Sequence, residues 1–499
     1  MGNKLNLNLR RPAACLAVVV CSMLVLLASF AVTGSAAPPP GDEEFGTIAD
    51  ASNAFLNSNP LIYIDSSPLM ATLDDNGDGV IDNNDNPSND PLVIDVRSNA
   101  DYQNLGHIPG SINIAYKDIV KPASLATIRT ELAKHCNKTI VLACYTGHTD
   151  KLAEMALGSV TQAGYFDAPA PNVLALKWGN LEWNTPSEEP AGHVPSYVNN
   201  YSIETTPHSL PAPSSYPVVS NTSSTETAEI TRVADDLSLY SSGGGYPWAV
   251  PGTGAGQIND TNIGNYTVID VRSSADYAAG HITGAVNIPY QQLFAVDGGG
   301  DYVNLLSVDR SKPIIVYGNG QQEANAAIIG MNALGIRNAS VPTRSLRFGL
   351  ANWNYNHGTQ FVNTVGGDRH SYPIVTGAAP GGLTYACSCT GTQPSLLLSL
   401  SVPFWLSYTD YTAGLLSVSW TVSNPSATTA YDVKITGSVN TNGVTLATPA
   451  LPATVANIMS AGGSPTTTFK YNVPASIGSW HTSNAGSATD LCGTSYTYP

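Results

Sequence analysis

One long motif occurs twice in this chain of 499 residues. The segment PLVIDVRSNADYQNLGHIPGSINIAY at 91–116 matches YTVIDVRSSADYAAGHITGAVNIPY at 266–290. The likeness extends to the end of each copy, where ALKWGNLEWN at 175–184 resembles RSLRFGLANWN at 344–354. An internal repeat of this length indicates two units with the same fold.

Each copy alternates short apolar runs with stretches that have helical periodicity. A buried strand is followed by a short helix, a turn containing His-Ile-x-Gly, a second apolar strand and another helix. Strands and helices that alternate in this way predict α/β domains, each with a parallel sheet covered by helices on both faces. We place the two domains at 45–184 and 226–357. The predicted strands are 92–96 and 139–143 in the first copy and 267–271 and 313–317 in the second.

The remaining segments differ in composition. Residues 185–225 are rich in Pro, Ser and Thr, which is typical of a linker, and 358–390 forms a connector. From 391 to 499, runs such as LLSVSWTVSN and AYDVKITGSV alternate in period two between turn sequences. This pattern predicts an all-β sandwich, a module commonly used as a spacer or for adhesion.

The N-terminus has the layout of a secretory signal peptide over residues 1–36. Three basic residues precede a long apolar run, small residues follow it, and cleavage is expected after Ala36 or Ala37. A retained membrane anchor is the alternative, because the run approaches spanning length. No other stretch is apolar enough to span a bilayer, so we expect no stable membrane span after cleavage. The expected location is secreted, periplasmic or at the cell surface.

The charge of the chain limits its partners. Cleavage after Ala36 removes three positive charges and no acid, which changes the formal net charge from −16 to −19. A strongly acidic protein is repelled by nucleic acid and by anionic membranes. We therefore expect no nucleic-acid partner.

A single cysteine stands between the second apolar strand and the next helix of the first copy. In VLACYTGHTDKLAEMA (141–156), Cys144–Thr149 reads CxxGxT. Together with the VIDVR…DY…GHIPGSINI motif, this loop resembles the active-site loop of the rhodanese family. The resemblance implies a tandem rhodanese that carries sulfane sulfur as a persulfide on Cys144. It also implies small sulfur-containing anions as donors, such as thiosulfate, mercaptopyruvate or a polysulfide, and an unknown acceptor such as a thiol or cyanide.

The chemistry of the loop fits that role. Backbone N–H groups at a strand-to-helix junction stabilise anions, so we expect them to lower the pKa of Cys144 and to hold the persulfide. Gly147 permits a tight turn with positive φ, and Thr149 is expected to cap the helix. His148 and Lys151 are candidates for meeting an anionic donor, with a solvated surface role as the alternative for each. For Cys144 the alternative is an inert core cysteine.

The second copy lacks the nucleophile. Its segment IIVYGNGQQEANAAIIG has Gly318 where the cysteine would stand and one residue fewer before Gly320. Two-domain rhodaneses generally carry the cysteine in the C-terminal copy, whereas here the N-terminal copy has it. The second copy therefore either shapes the donor pocket or only stabilises the pair.

Other polar residues of the repeat have structural interpretations. We expect Arg97 to pair with Asp101 in the following helix, and His107 to make a structural hydrogen bond in its turn, with equivalents in the second copy. Asp95 ends its strand on the side of the loop, so it is a second candidate for orienting loop groups.

The segment DDNGDGVIDNNDNP resembles the calcium loop of EF-hand and dockerin-like sequences, in which oxygen ligands converge on one ion. Gly79 stands at position 6, and Asp replaces the usual Glu at position 12. A solvated acidic turn is the alternative. We expect a structural Ca²⁺ and no organic cofactor. The predicted ligands are Asp74, Asn76, Asp78, the Val80 carbonyl, Asp82 and Asp85.

Five cysteines remain after cleavage, so at least one is unpaired within a monomer. Cys136 and Cys144 flank a strand, and eight extended residues span about 26 Å, whereas disulfide Cα atoms lie within about 7 Å. Cys387 and Cys389 are too close in sequence to pair without strain. We therefore predict one disulfide, between Cys492 and either Cys387 or Cys389, and a free Cys144.

Two functions of different classes remain open. The intact CxxGxT loop favours an exported sulfurtransferase. The loss of the nucleophile in the second copy and the adhesion-like C-terminus favour a non-catalytic surface or periplasmic scaffold that reuses rhodanese domains.

Overall fold

A computed structural model gives the fold of the protein. The residues it describes are 43–58, 63–85, 87, 90–136, 138–166, 171–185, 199–217, 219, 233, 249–250, 257–354, 356, 369–379, 381–385, 393–401, 414–426, 430–459, 462–474, 482–489 and 495–498. None of the helices within these ranges is both long enough and apolar enough to cross a membrane.

Domain 1 is built on a five-stranded parallel sheet with strand order β1-β5-β4-β2-β3. Its central strands β2 and β4 are apolar because helices cover both faces of the sheet. The strands are β1 Tyr63–Ile64, β2 Leu92–Asp95, β3 Ile112–Asn113, β4 Thr139–Ala143 and β5 Asn172–Leu176. The helices are α1 Glu43–Ser58, α2 Ser66–Leu73, α3 Asn99–Asn104, α4 Pro122–Leu132, α5 Thr149–Gln162 and α6 Gly179–Trp183.

Domain 2 has the same arrangement, with strand order β10-β8-β11-β12-β7 and all pairs parallel. A short antiparallel pair, β6 with β9, lies beside this sheet. The strands are β6 Ile203–Glu204, β7 Ala249–Val250, β8 Thr267–Asp270, β9 His281–Ile282, β10 Val286–Asn287, β11 Ile314–Tyr317 and β12 Arg344–Leu346. The helices are α7 Ser274–Ala279, α8 Val303–Leu306, α9 Gln322–Ala333 and α10 Gly349–Trp353.

The C-terminal region consists of two four-stranded antiparallel sheets, ordered β13-β14-β18-β16 and β17-β15-β19-β20. Side chains of both sheets, such as Trp420, Phe469 and Ile435, share one core. The predicted α/β domains and the all-β C-terminal region are thus confirmed. The strands are β13 Leu397–Ser401, β14 Leu415–Ser423, β15 Ala430–Asn440, β16 Thr445–Thr448, β17 Ala453–Met459, β18 Thr466–Asn472, β19 Thr482–Thr489 and β20 Ser495–Tyr498.

The two α/β domains share a core. Helix α5 of domain 1 packs against α9 of domain 2, and apolar residues of both, such as Leu152 and Ile328, belong to one buried cluster. At the start of α5, the His148 carbonyl oxygen accepts a hydrogen bond from Asn325 Nδ2 of α9 at 2.9 Å. The first turn of α5 is therefore enclosed by domain 2.

Two segments cross between the domains. The first follows domain 1 in the chain and lies on domain 2, and the second follows domain 2 and lies on domain 1. The first strap, residues 199–217, lies on domain 2, where Trp353 Nε1 donates to the Ser202 carbonyl oxygen at 2.8 Å. The second strap, the described residues of 369–385, lies on domain 1, where Trp183 Nε1 donates to the Pro373 carbonyl oxygen at 2.9 Å. Both straps fall within segments that the sequence indicates as linker and connector.

Candidate active site

The cysteine loop leaves the carboxyl end of β4 and enters α5 at Thr149. Gly147 turns the loop with φ of 74°, and a Cβ at this position would lie 2.7 Å from the Trp178 amide nitrogen. The Cys144 carbonyl oxygen accepts a hydrogen bond from the Asn180 amide at 2.7 Å. The expected role of Gly147 follows directly, because only glycine fits both the conformation and the space.

Cys144 is only 1% exposed, and its sulfur is approached by the His148 amide N–H at 3.3 Å. Burial raises the pKa of the thiol to about 12, and the Asp150 carboxylate adds to the rise. The Thr149 hydroxyl and the Asp150 and Thr146 amides act in the opposite direction. The predicted lowering of this pKa is therefore wrong for this conformation, since desolvation outweighs the loop amides.

Asp150 is the acidic residue that acts on the Cys144 thiol. The sequence did not single it out. It is fully buried, neither of its carboxylate oxygens has a hydrogen-bond partner, and the nearby Cys144 thiol acts to lower its pKa. Burial nevertheless raises the pKa of Asp150 to about 8. The site thus contains a thiol and a carboxyl that both favour the protonated form near neutral pH.

The two proposed anion-binding residues do not lie at a pocket mouth. His148 is buried, its Nδ1 lies 2.9 Å from Thr146 Oγ1, and burial together with Arg347 lowers its pKa to about 3. Lys151 is buried in an ion pair with Glu154. Burial lowers the pKa of Lys151 and raises that of Glu154 to about 7. The neutral His148 ring offers no positive charge to a donor.

Thr149 is the first residue of α5, and the N-cap position belongs to His148, which makes no side-chain capping bond. The expected cap is therefore not made by Thr149. Its hydroxyl instead lies near the Cys144 sulfur and lowers the thiol pKa. Thr149 therefore acts on the Cys144 thiol and does not cap the helix.

Asp95 reaches the loop through Arg97. Arg97 Nη2 lies 2.6 Å from Asp95 Oδ2 and also donates to the Gly106 carbonyl oxygen at 2.6 Å. The guanidinium lies 5.7 Å from the centre of the Tyr145 ring, next to the cysteine. Asp101, the expected partner of Arg97, accepts hydrogen bonds from Ser98 Oγ and Tyr145 Oη. The predicted pair of Arg97 with Asp101 is therefore wrong, because the carboxylate that pairs with Arg97 is that of Asp95 at the end of β2.

Domain 2 has the same Asp–Arg pair beside a different loop. We call this pair, together with the turn histidine of each domain, the frame. Arg272 pairs with Asp270 at 2.6 Å, as Arg97 does with Asp95. At Gly318, however, an added Cβ would lie 2.5 Å from Oε2 of Glu323. Glu323 is the second residue of α9, as Asp150 is of α5. A carboxylate thus occupies the space where a cysteine side chain would begin.

The turn histidines have the structural role expected for them. His107 Nδ1 lies 2.9 Å from the Tyr102 carbonyl oxygen, and its Nε2 lies 3.2 Å from that of Ala379 in the second strap. His281 makes the equivalent contacts with the Tyr277 and Thr206 carbonyl oxygens, at 2.9 and 3.1 Å. Each histidine therefore joins its own domain to a strap.

The predicted calcium loop is folded around two carboxylates. The Asp74 carboxylate accepts hydrogen bonds from the amides of residues 77, 78 and 79, at 2.9 to 3.1 Å. The Asp85 carboxylate accepts from the Asp82 amide at 2.9 Å. Ile81 points into the core of domain 1. Among the described residues, the acidic groups of this loop do not form a cluster with three ligand atoms within 4.8 Å of one another. The loop is a compact turn whose carboxylates accept hydrogen bonds from backbone N–H groups.

The cysteines differ in part from the prediction. Cys144 is free, as expected. Cys136 forms a disulfide, which the sequence did not indicate. Its partner lies outside the described residues, as do Cys387, Cys389 and Cys492. Cys136 is exposed, and the second strap approaches it, since the Tyr385 ring lies 4.1 Å from the ring of His135.

Comparisons with known proteins match the repeat. A family model described as "Rhodanese-like domain" matches residues 80–186 and 256–355. A TBC domain-containing protein kinase-like protein of Mus musculus is 38% identical over 55 residues, which make up 10% of this chain and 6% of that protein. The chain therefore spans only a small part of that relative.

Two solved structures, both sulfurtransferases by name, show weak likeness. A thiosulfate sulfurtransferase from Pseudomonas aeruginosa is 17% identical, with coverage of 66% of this chain and 49% of that one and a TM-score of 0.20. A 3-mercaptopyruvate sulfurtransferase from Leishmania major is 14% identical, with coverage of 61% and 77% and a TM-score of 0.20. The two family matches fall one on each parallel sheet, so the chain contains two rhodanese-like domains in tandem.

Proposed function

We propose that the protein is an exported sulfurtransferase that carries sulfane sulfur on Cys144. The observation that carries this proposal is the position of the sulfur at the carboxyl end of β4, with the His148 N–H directed at it from 3.3 Å. The amides of Thr146 and Asp150 also favour the anionic sulfur. A loop of this kind stabilises a thiolate and, after sulfur transfer, a persulfide anion.

The reaction has two displacements. The Cys144 thiolate attacks the outer sulfur of thiosulfate, the sulfur–sulfur bond breaks, and sulfite leaves with the electron pair of that bond. Cyanide or a thiolate then attacks the outer sulfur of the cysteine persulfide, and the Cys144 thiolate is regenerated. The thiol first has to lose its proton, and Asp150 in its carboxylate form is the adjacent acceptor.

Access requires movement. Cys144 is 1% exposed, and the Phe348 ring from domain 2 packs edge-to-face with the His148 ring, with ring centroids 5.0 Å apart. We infer that the donor enters when the loop and the segment around Phe348 separate. The same separation would hydrate the thiol and lower its pKa, because burial is the largest cause of the rise.

Mass spectrometry of the Cys144 peptide tests the proposal. After incubation with thiosulfate the peptide should gain the mass of one sulfur atom, and cyanide should remove it. Cys144→Ser should abolish sulfur transfer and leave the melting temperature close to that of the wild type. Glu323→Gln, which changes the equivalent loop of domain 2, should still form the persulfide. Transfer that survives in Cys144→Ser would exclude this nucleophile.

The second candidate function is a non-catalytic scaffold, favoured by the burial of the thiol and by the carboxylate that fills the loop of domain 2. A scaffold would show neither persulfide formation with thiosulfate, mercaptopyruvate or polysulfide nor a functional loss in Cys144→Ser. The persulfide experiment therefore separates the two candidates.

We also propose a structural Ca²⁺ in the loop from Asp74 to Asp85, supported by the ligand spacing and by the observed turn. Millimolar Ca²⁺ should raise the melting temperature, because the ion binds the folded loop. Asp74→Ala combined with Asp78→Ala should remove the rise, whereas Asp118→Asn, at a partly exposed carboxylate outside this loop, should retain it. Identical wild-type melting curves with Ca²⁺ and with chelator would contradict the site.

Export is proposed from the signal-like segment 1–36, which lies outside the described residues. N-terminal sequencing of protein recovered outside the cytoplasm should begin at Ala37 or Pro38. A mature protein that retains residues 1–36 would favour a membrane anchor instead.

A further inference from the structure

Three side chains with metal-binding atoms meet where the first strap crosses domain 2. Glu204 of β6 and His281 of β9 are directly paired residues of the antiparallel ladder, and His208 follows four residues after Glu204. His208 Nε2 lies 2.7 Å from Glu204 Oε1, and His281 Nε2 lies 3.7 Å from the same oxygen. All three ligand atoms lie within 4.8 Å of one another, and no other such group occurs among the described residues.

The orientation of His281 is fixed by its surroundings. The ring is buried and stacked on Tyr277 at 3.7 Å, and its Nδ1 lies 2.9 Å from the Tyr277 carbonyl oxygen. With the proton on Nδ1 this carbonyl oxygen has its donor, and the lone pair of Nε2 then points toward the cluster. A hydrogen bond from the other ring nitrogen to a carbonyl is the usual support for a metal-binding histidine.

That lone pair also faces an oxygen. Nε2 of His281 lies 3.1 Å from the Thr206 carbonyl oxygen. A neutral imidazole has one N–H and cannot donate to two carbonyls at once. A cation placed between Nε2, the Thr206 oxygen and Glu204 would turn this unfavourable contact into coordination.

The other two ligands are also held in place. Glu204 Oε1 accepts a hydrogen bond from the Gly284 amide at 2.6 Å. The His208 amide donates to Tyr277 Oη at 3.0 Å, which fixes the backbone that carries this imidazole. The His208 side chain is 39% exposed and that of Glu204 25%, so a further coordination position faces water.

We propose that Glu204, His208 and His281 bind one divalent transition-metal ion, for which Zn²⁺ is the probe. Two imidazoles and one carboxylate, with an open fourth position, are a common ligand set for this ion. Metal–ligand bonds of about 2.1 Å place the ligand atoms of a tetrahedral site about 3.4 Å apart. The observed spacings reach that arrangement with small side-chain shifts. The ion ties the first strap to domain 2.

Domain 1 supplies an internal comparison. His107 stacks on Tyr102 at 3.5 Å and, like His281, meets a carbonyl oxygen at both ring nitrogens. Its bridge partner in the second strap is Val375, which stands where Glu204 stands in the first strap. This arrangement, in which a buried histidine stacks on a tyrosine and contacts a strap, is common to both domains, and we call it the histidine clamp. Only the first strap adds the carboxylate and the second imidazole that make a ligand set.

Zinc titration of the full mature chain tests the proposal. The Cys144→Ser background removes the free thiol, and millimolar Ca²⁺ occupies oxygen-only sites. Native mass spectrometry should show one Zn²⁺ per chain, and competition with a chromophoric chelator should give its Kd. His208→Ala and Glu204→Gln should each weaken binding by at least about tenfold. His370→Ala, which removes a histidine from the second strap, should leave the Kd unchanged.

Glu204→Gln preserves size and hydrogen bonding to the Gly284 amide, so it keeps the test valid if His208→Ala disturbs the strap. The proposal is overturned if the wild type binds no Zn²⁺, or if both variants bind with the wild-type Kd. In either case the cluster is only a hydrogen-bonded pair, His208 with Glu204, beside the His281 clamp. The result does not depend on whether Cys144 transfers sulfur.

Discussion

Cys144 of domain 1 and Gly318 of domain 2 stand at the same place in two sheets with the same strand order. Each loop follows a buried strand, begins a helix that packs against the other domain, and lies beside an Asp–Arg pair at a strand end. The difference is what fills the loop. In domain 1 it is a thiol, whereas in domain 2 the Glu323 carboxylate points into the space next to Gly318.

This comparison separates the frame from the chemistry. The frame is the same in both copies. The Asp–Arg pair joins the strand end to the turn, and the histidine joins the turn to a strap. The nucleophile is not needed for folding and is present once. Residues of the frame should therefore affect stability in both domains, whereas sulfur transfer should depend on domain 1 alone, on its loop and on the frame residues that contact this loop.

The largest expected effect concerns the buried ion pairs. Asp95→Asn leaves the Arg97 charge buried without its carboxylate, and loss of one partner of a buried pair costs about 3–5 kcal/mol. Asp270→Asn should cost at least as much, because Asp270 also accepts a hydrogen bond from Tyr317 Oη at 2.6 Å. Chemical denaturation measures both losses.

Sulfur transfer distinguishes the two variants at a temperature where both are folded. Asp95→Asn should lower kcat, since Arg97 and Tyr145 connect Asp95 to the cysteine loop, and Asp270→Asn should leave kcat unchanged. Equal kcat values for the two variants would mean that the Asp–Arg pair of domain 1 does not position the loop.

A smaller effect is expected at the glycine turns. Gly147→Ala places a Cβ 2.7 Å from the Trp178 amide nitrogen at φ of 74°, so both strain and overlap should destabilise the fold, by about 2–4 kcal/mol. Gly284→Ala in domain 2 has φ of 78° with open space around the new Cβ, and should cost about 1–2 kcal/mol. Denaturant midpoints give both values. A Gly147→Ala loss no larger than that of Gly284→Ala would show that the loop relaxes around the new methyl group.

The sequence predicted the parts of this structure that depend on local patterns. Apolar runs such as Leu92–Asp95 are strands because both faces of a parallel sheet are buried, and Gly147 turns the loop because glycine tolerates positive φ. Burial of His148 and Lys151 could not be predicted, since it results from the packing of α5 against α9, a contact between residues far apart in sequence. The Cys136 disulfide was missed for a similar reason: its partner comes from another part of the chain.

The buried carboxyls were visible in the sequence but had no distinguishing pattern. Asp150 and Glu323 each occupy the second position of a helix, where acids are common because of the helix dipole. Only the structure shows that both point back toward the loop, one beside a sulfur and the other beside a glycine. An alignment of the two copies that starts from the first residue of α5 and of α9 makes Asp150 and Glu323 equivalent.

The acidity of Cys144 offers a more sensitive comparison of these two carboxyls. The Asp150 carboxylate raises the pKa of the thiol, so Asp150→Asn should lower it, by about one pH unit, the usual size of a nearby like charge. Glu323→Gln should leave the thiol pKa unchanged. The pH dependence of alkylation of Cys144 measures both. If Asp150 is also the proton acceptor, its variant should transfer sulfur more slowly despite the more acidic thiol.

Stability as a function of pH gives a further comparison of the two carboxyls. Burial raises the pKa of Asp150 to about 8, above its ordinary value near 3.8, and also raises the pKa of Glu323. A carboxyl with a raised folded-state pKa holds its proton more tightly in the folded protein than in the unfolded chain. Its contribution is therefore greatest below about pH 4 and is lost as the pH rises toward 8.

Asp150→Asn and Glu323→Gln should each flatten this fall between pH 5 and 8. Glu131→Gln, a change at a partly exposed position of domain 1, should retain the wild-type slope. Denaturant midpoints at several pH values provide the comparison. If only Asp150→Asn flattens the curve, then Glu323 is solvated in solution and the loop of domain 2 is open. If both do, the two domains share a buried carboxyl at the helix start, and the cysteine is the difference between them.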